Sequence, residues 1–369
     1  MDYPKKGMRR FERIHDVVEP VEEYRVGGYH PVHLDDTFHQ RYQVVGKWAF
    51  GQFSTVWLAK DTRHQRYVTL KILKADASEG SQELSVLIHL SKTRIDCPGR
   101  DNVLQLLDHF EHRGPNGLHL CLVFPVMMSD GQEMTVRERP RHPKYVREVS
   151  KQILRGLNYL HDQGLIHGDL QPANILFTVS PDSPSEILTK PELSYVKWLP
   201  GVEVDNSAPR YLVCSQRPRG MLDDAMFSSL IVKIGDLGGA IWSLQDNACP
   251  VTPAALRAPE LLLHRPWNQK VDIWALGCLI FQLATNETLF PAGCFGYSKA
   301  EMDDNLLSLM HDFFNGGLPG FIVRIREKVP PEFGQKESES LAGFLWEMLQ
   351  ERAEDRKSTT ELLNHSFIL

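Results

Sequence analysis

The sequence predicts an α+β protein with its strands first and its helices after them, and three observations carry that prediction. Between residues 41 and 73, short runs of β-branched and aromatic residues alternate with a period of two, as half-buried strands do. In 144–161 and again in 338–349 the apolar residues recur with the helical period, and the stretch 270–284 is apolar on nearly every face. A polar run at 167–176, His-Gly-Asp-Leu-Gln-Pro-Ala-Asn-Ile-Leu, follows directly on the first of these helices.

Length and composition bound the reading. A chain of 369 residues, 42% hydrophobic with charges of both signs, has enough apolar material for two lobes and the balance of an ordinary globular protein. A net charge of −6 excludes nucleic-acid binding through a basic surface and leaves a basic partner compatible. The six cysteines (Cys97, Cys121, Cys214, Cys249, Cys278 and Cys294) form no Cys-x-x-Cys pair and no Cys/His ligand spacing, which points to a reduced compartment and no structural zinc. The charged opening segment lacks the apolar core of a signal peptide, and no apolar run reaches membrane-spanning length, so a cytoplasmic or nuclear protein is expected.

Residues 1–37 show neither period and read as an extended arm, with the apolar and aromatic patch Tyr24-Arg25-Val26-Gly27-Gly28-Tyr29-His30-Pro31-Val32 lying on the neighbouring domain and its double glycine turning. Residues 41–60 form a hairpin with Gly51 at the tip. In 67–73 Val68, Leu70 and Ile72 share one face and Lys71 takes the other. A helix follows, with Leu84, Leu87 and Ile88 at helical spacing; Glu83 begins it and Glu79 lies one turn earlier. Residues 118–128 are a near-continuous apolar strand that ends at Pro125. In the helix 144–161 Val146, Val149, Ile153, Leu154, Leu157 and Leu160 recur, and Gly164 stops it. Residues 178–230, rich in proline and acid, read as an insertion before a strand resumes at 229–236. Asp272 is the one charge in the all-round apolar helix 270–284, and an unpaired carboxylate there would be costly, so it must accept backbone N–H bonds.

Asp169, Asn174 and Asp236 carry the chemistry. A carboxylate followed five residues later by an amide suits phosphoryl transfer: the carboxylate accepts a hydroxyl proton, while the amide oxygen and a second carboxylate hold magnesium on a nucleotide. Taken alone, the ten residues 167–176 also fit a helix end and a polar turn.

The ordered set resembles the motifs of eukaryotic protein kinases. His167–Asn174 is similar to the catalytic loop His-Arg-Asp-Leu-Lys-Pro-x-Asn, with Gly168 for the arginine and Gln171 for the lysine. Val68-Thr69-Leu70-Lys71, Asp236-Leu237-Gly238 and Ala258-Pro259-Glu260 resemble the phosphate-binding strand, the magnesium triplet and the end of the activation segment. Tyr24–Val32 and Gly51–Leu58 resemble, more narrowly, the SR-protein kinases, which phosphorylate serines in Arg-Ser repeats, while Arg257 resembles a feature of the larger group that contains the cyclin-dependent, MAP and SR-protein kinases. Ala49 and Ser54 stand where the first and third loop glycines usually do; the serine is shared with that family and the alanine is not. Thr252 stands one residue off the threonine that usually contacts the catalytic aspartate.

The resemblance covers residues 24–369. It implies a bilobal eukaryotic protein kinase fold with a small, mostly β N-lobe and a larger, mostly α C-lobe. Its divisions would be an extension packed on the kinase (1–37), the N-lobe and hinge (38–127), and the C-lobe (128–369) with the insertion 178–230. The implied catalytic residues are Asp169, Lys71 and Glu83. Trp48, Ala49, Phe50, Gly51, Gln52, Phe53, Ser54, Thr55, Val56 and Lys71 would surround ATP, with Phe124, Pro125 and Met127 at the adenine. Asn174 and Asp236 would hold Mg2+, and Asp272, Glu260 and Arg356 would brace the fold. The implied substrate is a protein, in particular Arg-Ser-rich splicing factors, phosphorylated by a monomeric enzyme that binds neither nucleic acid nor membrane. Asp303, Asp304 and Asp312 are candidates for docking a basic substrate, although acids in a first helical turn, Glu301 among them, are favoured by the macrodipole alone. A rival reading, a binding protein with this fold and no turnover, rests on Ala49 and Gln171.

Overall fold

The computed structural model describes residues 9–93, 96–132, 142–178, 190–217, 230–244, 250–291 and 298–369. Two compact units emerge. The first comprises residues 9–91, 105–126 and 190–217, and the second comprises the described parts of 92–104, 127–178 and 230–369. Strands dominate the first and helices the second, which is the α+β division the sequence predicts.

The first unit is built on a six-stranded sheet in the order β1-β2-β3-β4-β6-β5, formed by β1 (Thr37–Phe38), β2 (Tyr42–Phe50), β3 (Ser54–Asp61), β4 (Arg66–Leu73), β5 (Asp108–Gly114) and β6 (Gly117–Phe124). All neighbours are antiparallel. Register then sorts the side chains. Leu70 lies opposite Trp57 and Val123, and Val68 opposite Ala59, so these residues share one face and are buried there with Ile72, Val44 and Cys121. Lys71 lies opposite Val56, and Val56 opposite Ala49, on the other face. After β4 come the one-turn α1 (Ala75–Ser78) and then α2 (Gln82–Ser91), which buries Glu83, Val86, Leu87 and Leu90. The buried stripe is thus offset from the Leu84–Leu87–Ile88 set that spacing alone selects.

The arm and the insertion cover the apolar face. Val32 and Phe38 join its core, and so does Val213 from a hairpin of Leu193–Tyr195 with Tyr211–Val213. A smaller core of Tyr24, Tyr29 and Leu212 joins arm to insertion, and Phe11 packs on Trp198 with ring centroids 4.5 Å apart. The sequence assigns all of 178–230 to the large lobe, whereas its described part, 190–217, belongs to the first unit. Val213 is an apolar residue the sheet can bury on a face that its own strands leave open, while its neighbour Leu212 points into the core of Tyr24 and Tyr29.

In the second unit, α3 (Pro143–Asp162) starts with proline in its first turn and ends before Gly164, at φ +72°. It is followed by the one-turn α4 (Pro259–Leu262), α5 (Lys270–Thr285), α6 (Lys299–Phe314), α7 (Gly317–Lys328), α8 (Gly334–Met348) and α9 (Thr359–Leu362). Helix α5 is buried on nearly every face, as its composition predicts. Ile175–Thr178 pairs with Ile231–Ile234, and this short ladder sets Asn174 beside Gly235. Among the described residues no helix is long and apolar enough to cross a membrane. Cys249 and Cys294 lie outside the described residues, and the four cysteines within them are unbridged.

Candidate active site

The loop after α3 brings the polar residues of 167–174 together. Gln171 Nε2 donates to both Asp169 oxygens, at 2.8 and 2.9 Å. Asn174 Nδ2 donates to the Asp169 carbonyl at 2.8 Å and to its Oδ2 at 3.2 Å, which leaves the Asn174 amide oxygen as its other polar atom. His167 links the two acidic segments: its Nδ1 accepts from the Asp169 N–H at 3.3 Å, and its Nε2 lies 3.1 Å from the Gly235 carbonyl. One neutral tautomer, with the proton on Nε2, satisfies both contacts. Gly235 in turn donates to the Asn174 carbonyl at 2.8 Å. The next residue, Asp236, sits at φ +55°, in the left-handed region that a non-glycine residue enters at a cost. Burial pushes the Asp169 carboxyl above the usual carboxylate range and the charge of Asp236 adds to this, while the Gln171 and Asn174 hydrogen bonds oppose it.

A second carboxylate braces this loop. Asp272 is 1% exposed and accepts from the His167 N–H at 2.8 Å, the Gly168 N–H at 2.9 Å and His161 Nε2 at 2.9 Å. Burial alone would raise its pKa; the hydrogen bond and charge of His161, with the loop's N–H groups, outweigh burial and hold it below the ordinary value. Gly168 adopts φ +70°, and a Cβ there would come within 3.0 Å of the Gly239 carbonyl, so glycine suits this turn for two reasons. Thr252, set one residue off the family's position, donates its hydroxyl to the Gly168 carbonyl at 2.8 Å. Arg356 lies against Glu260 in a two-pronged pair, 2.7 Å on each prong, with the guanidinium fully buried.

In the first unit Lys71 Nζ contacts both Glu83 oxygens, at 2.7 and 2.9 Å, which decides between Glu83 and Glu79 as its partner. Burying Glu83 on α2 is what aims it at the sheet. Ala49, Val56 and Lys71 form one row across β2, β3 and β4, while Thr69, two residues from Lys71, lies opposite Phe124. The Thr69 hydroxyl lies 3.4 Å from the carbonyls of both Phe124 and Pro125. At the hairpin, Trp48, Ser54 and Thr55 are buried, Ala49, Phe50 and Val56 are half-buried, and Gly51, Gln52 and Phe53 are exposed. Met127, buried, belongs to the second unit.

The acidic candidates on α6 separate. Glu301 closes a capping box with Ser298. Asp303 lies 3.9 Å from Arg257, whose guanidinium also donates to the Thr252 carbonyl at 3.1 Å. Asp304 and Asp312 are exposed.

Among the described residues no group of three or more His, Cys, Asp or Glu side chains could hold a metal ion. Asn174 and Asp236 together offer one amide oxygen and one carboxylate. Such a donor set fits magnesium, which takes few protein ligands and completes its shell with water and phosphate oxygens.

The protein kinase domain family matches residues 41–187 and 220–368. The serine/threonine-protein kinase SRPK of Physarum polycephalum is 30% identical, over 95% of this chain and 91% of its own length. Protein kinase dsk1 of Schizosaccharomyces pombe is 28% identical over 84% of this chain and 72% of its own, and SRSF protein kinase 3 of Homo sapiens is 35% identical over 44% and 30%. A solved kinase-domain structure superposes with a TM-score of 0.60 at 19% identity, covering 92% of this chain and 99% of that one.

Proposed function

Because the chain belongs to the SR-protein kinases within the protein kinase family, and is accordingly an ATP-dependent serine/threonine protein kinase, we propose that its substrates are serines in Arg-Ser-rich proteins such as splicing factors and that Asp169 is the group that meets the acceptor hydroxyl. The observation that carries this reading is the loop 167–174, where one half-buried carboxylate is held by two side-chain amides and its segment is braced from behind by Asp272.

ATP supplies the phosphoryl group, and magnesium neutralises charge as that group moves. The protein's share is positioning. Asp169 orients the serine hydroxyl and accepts its proton, and the carboxyl's raised pKa makes it a better base than an ordinary aspartate. Asn174 and Asp236 hold the ion. Lys71, fixed by Glu83, takes phosphate oxygens from the face of the sheet that also carries Ala49 and Val56. Phe124, Pro125 and Met127 frame the adenine. For the basic substrate, Asp304 and Asp312 are the exposed carboxylates of α6, since Glu301 is engaged in its cap and Asp303 faces Arg257.

The test separates the roles. Asp169→Asn should abolish phosphate transfer to an Arg-Ser peptide and leave ATP binding nearly intact, whereas Asp236→Asn should weaken magnesium-dependent nucleotide binding. Equal loss of nucleotide binding in both variants, or retained turnover in Asp169→Asn, would reject the assignment. Reversing Asp304 and Asp312 to lysine should weaken binding of a long Arg-Ser substrate more than a short one; equal effects would place docking elsewhere.

A further inference from the structure

The tip joining β2 to β3 takes little support from packing: Gly51, Gln52 and Phe53 are exposed, and a Cβ built on Gly51 would meet no atom within 4 Å. Its backbone is nonetheless fastened at three places. The Gly51 N–H donates to the Ser54 carbonyl at 2.9 Å, which closes the turn, and the Lys74 N–H holds the Phe53 carbonyl at 2.8 Å. The third fastening comes from the arm, where the Tyr29 hydroxyl donates to the Gly51 carbonyl at 2.7 Å.

Tyr29 is itself immobilised. It is 2% exposed, its ring lies 5.5 Å from that of Tyr24, and Lys74 Nζ sits 4.3 Å above it. Asn116 Nδ2 holds its carbonyl at 2.6 Å. The turn before it leaves no room for a side chain, because a Cβ on Gly28 would fall 1.8 Å from the Glu23 carbonyl. From the same turn the Gly28 and Gly27 carbonyls accept from the N–H groups of Ala75 and Asp76, at 3.1 and 2.8 Å, in the segment that joins the strand of Lys71 to the helix of Glu83. Burial and the charges of Glu19 and Glu23 push the Tyr29 phenol up to about 12, so at neutral pH it keeps the proton it donates. The strand leading to the tip is anchored as well. Lys47 Nζ and the Tyr24 hydroxyl both meet Glu19 Oε1 at 2.5 Å, and Gln216 N–H and Ser215 Oγ hold the Lys47 and Trp48 carbonyls at 2.8 and 2.6 Å.

We propose that Tyr29 is a positioning residue for the nucleotide: its hydroxyl fixes the Gly51 carbonyl, and through it the N–H groups of the tip, in the conformation that phosphate oxygens require. The inference rests on reading 48–56 as the nucleotide loop. A loop with three glycines approaches phosphate closely because it lacks Cβ atoms, but it must be ordered on binding. This tip carries alanine and serine at two of those positions, and a bond from a rigid arm orders it beforehand, lowering the entropy lost when nucleotide binds.

Tyr29→Phe keeps the ring, its burial and its contact with Lys74, and removes only the donor. Assayed far below the melting midpoint, so that a loss of stability does not change the folded fraction, the variant should show KM for ATP raised about fivefold, the ratio set by a net hydrogen bond of about 1 kcal/mol. KM for the peptide and kcat should stay at the wild-type values. An unchanged KM for ATP would overturn the proposal whether or not the melting point fell, and so would a rise shared equally by KM for the peptide. Gly51→Val tests the underlying reading separately. If the added side chain raises KM for ATP while Tyr29→Phe does not, the loop binds nucleotide and Tyr29 has no part in it. If Gly51→Val also leaves KM for ATP unchanged, the loop assignment itself is wrong.

Discussion

Asp169 lies in the segment around His167 and Gly168 and Asp272 bonds to that segment from α5, yet their surroundings give them opposite properties. Asp272, on a helix buried all round, accepts two backbone N–H bonds and one from His161, and its pKa is held below the ordinary carboxylate value. Asp169 is only half-buried and takes side-chain amides in place of that backbone cage, and its pKa is raised. A carboxylate whose lone pairs are met by fixed backbone donors is a structural anchor. One met by amides on rotatable side chains keeps the freedom to accept a proton from something else.

The largest effect should come from disarming the anchor. Asp272→Asn keeps the shape but turns an amide nitrogen or a weakened oxygen toward buried donors, and should cost about 3 kcal/mol or more of stability, with a parallel loss of kcat and little change in KM for ATP. Denaturant titration and steady-state kinetics measure the two effects. Because the folded pKa of Asp272 is depressed, its contribution is fully present above the ordinary value of 3.8 and is lost as pH falls through the folded one, so the difference between variant and wild type should shrink only below that value. A loss of stability that persisted undiminished in stronger acid would show that two oxygen acceptors, not charge, are what Asp272 supplies.

A smaller effect should follow from changing the company of Asp169. Gln171→Lys puts a cation where an amide now touches both Asp169 oxygens. Turnover of an Arg-Ser peptide should rise roughly tenfold through charge beside the transferring group. The acid limb of the kcat profile should move to lower pH, since a neighbouring cation favours the ionised carboxylate whose pKa is now raised. No gain, with the limb unmoved, would mean that another group already supplies this charge.

The smallest expected effect is none. Gly168 has no side chain with which to pair a phosphate, and the stretch ahead of Ala258-Pro259-Glu260 is tied to it by the buried Thr252 hydroxyl. Phosphatase-treated enzyme should therefore keep its full rate, and a large loss confined to the treated sample would show that the segment is ordered by phosphate instead.

Several of these contacts were legible beforehand because they follow from rules local to a few residues. Strand alternation placed Lys71 opposite the Val68–Leu70–Ile72 face, and the cost of burying Asp272 required it to accept backbone N–H bonds. That Asp169, Gln171 and Asn174 share one loop was legible from their spacing, but the amide bonds that Gln171 and Asn174 make to Asp169 were not. The choice between Glu83 and Glu79 was open because residues four apart share one face of a continuous helix; in the structure Glu79 lies before the helix in extended backbone, and Glu83 joins the buried stripe of Val86, Leu87 and Leu90.

What the sequence by itself determined is the α+β order of the elements, the all-round burial of α5 and the grouping of polar residues in the loop 167–174, because each of these depends on a period or a spacing along the chain. The tertiary structure alone decided the rest. Residues 190–217 pack with the first unit, Thr252 reaches Gly168 from one residue off its expected place, Asp303 turns toward Arg257, and Tyr29 meets the hairpin tip. The physical reason is that such pairings join segments far apart in the chain. A tyrosine 22 positions before a glycine, or a serine 167 positions after the tryptophan whose carbonyl it binds, leaves no periodic trace, because each pairing exists only once the arm and the insertion have packed in the first unit.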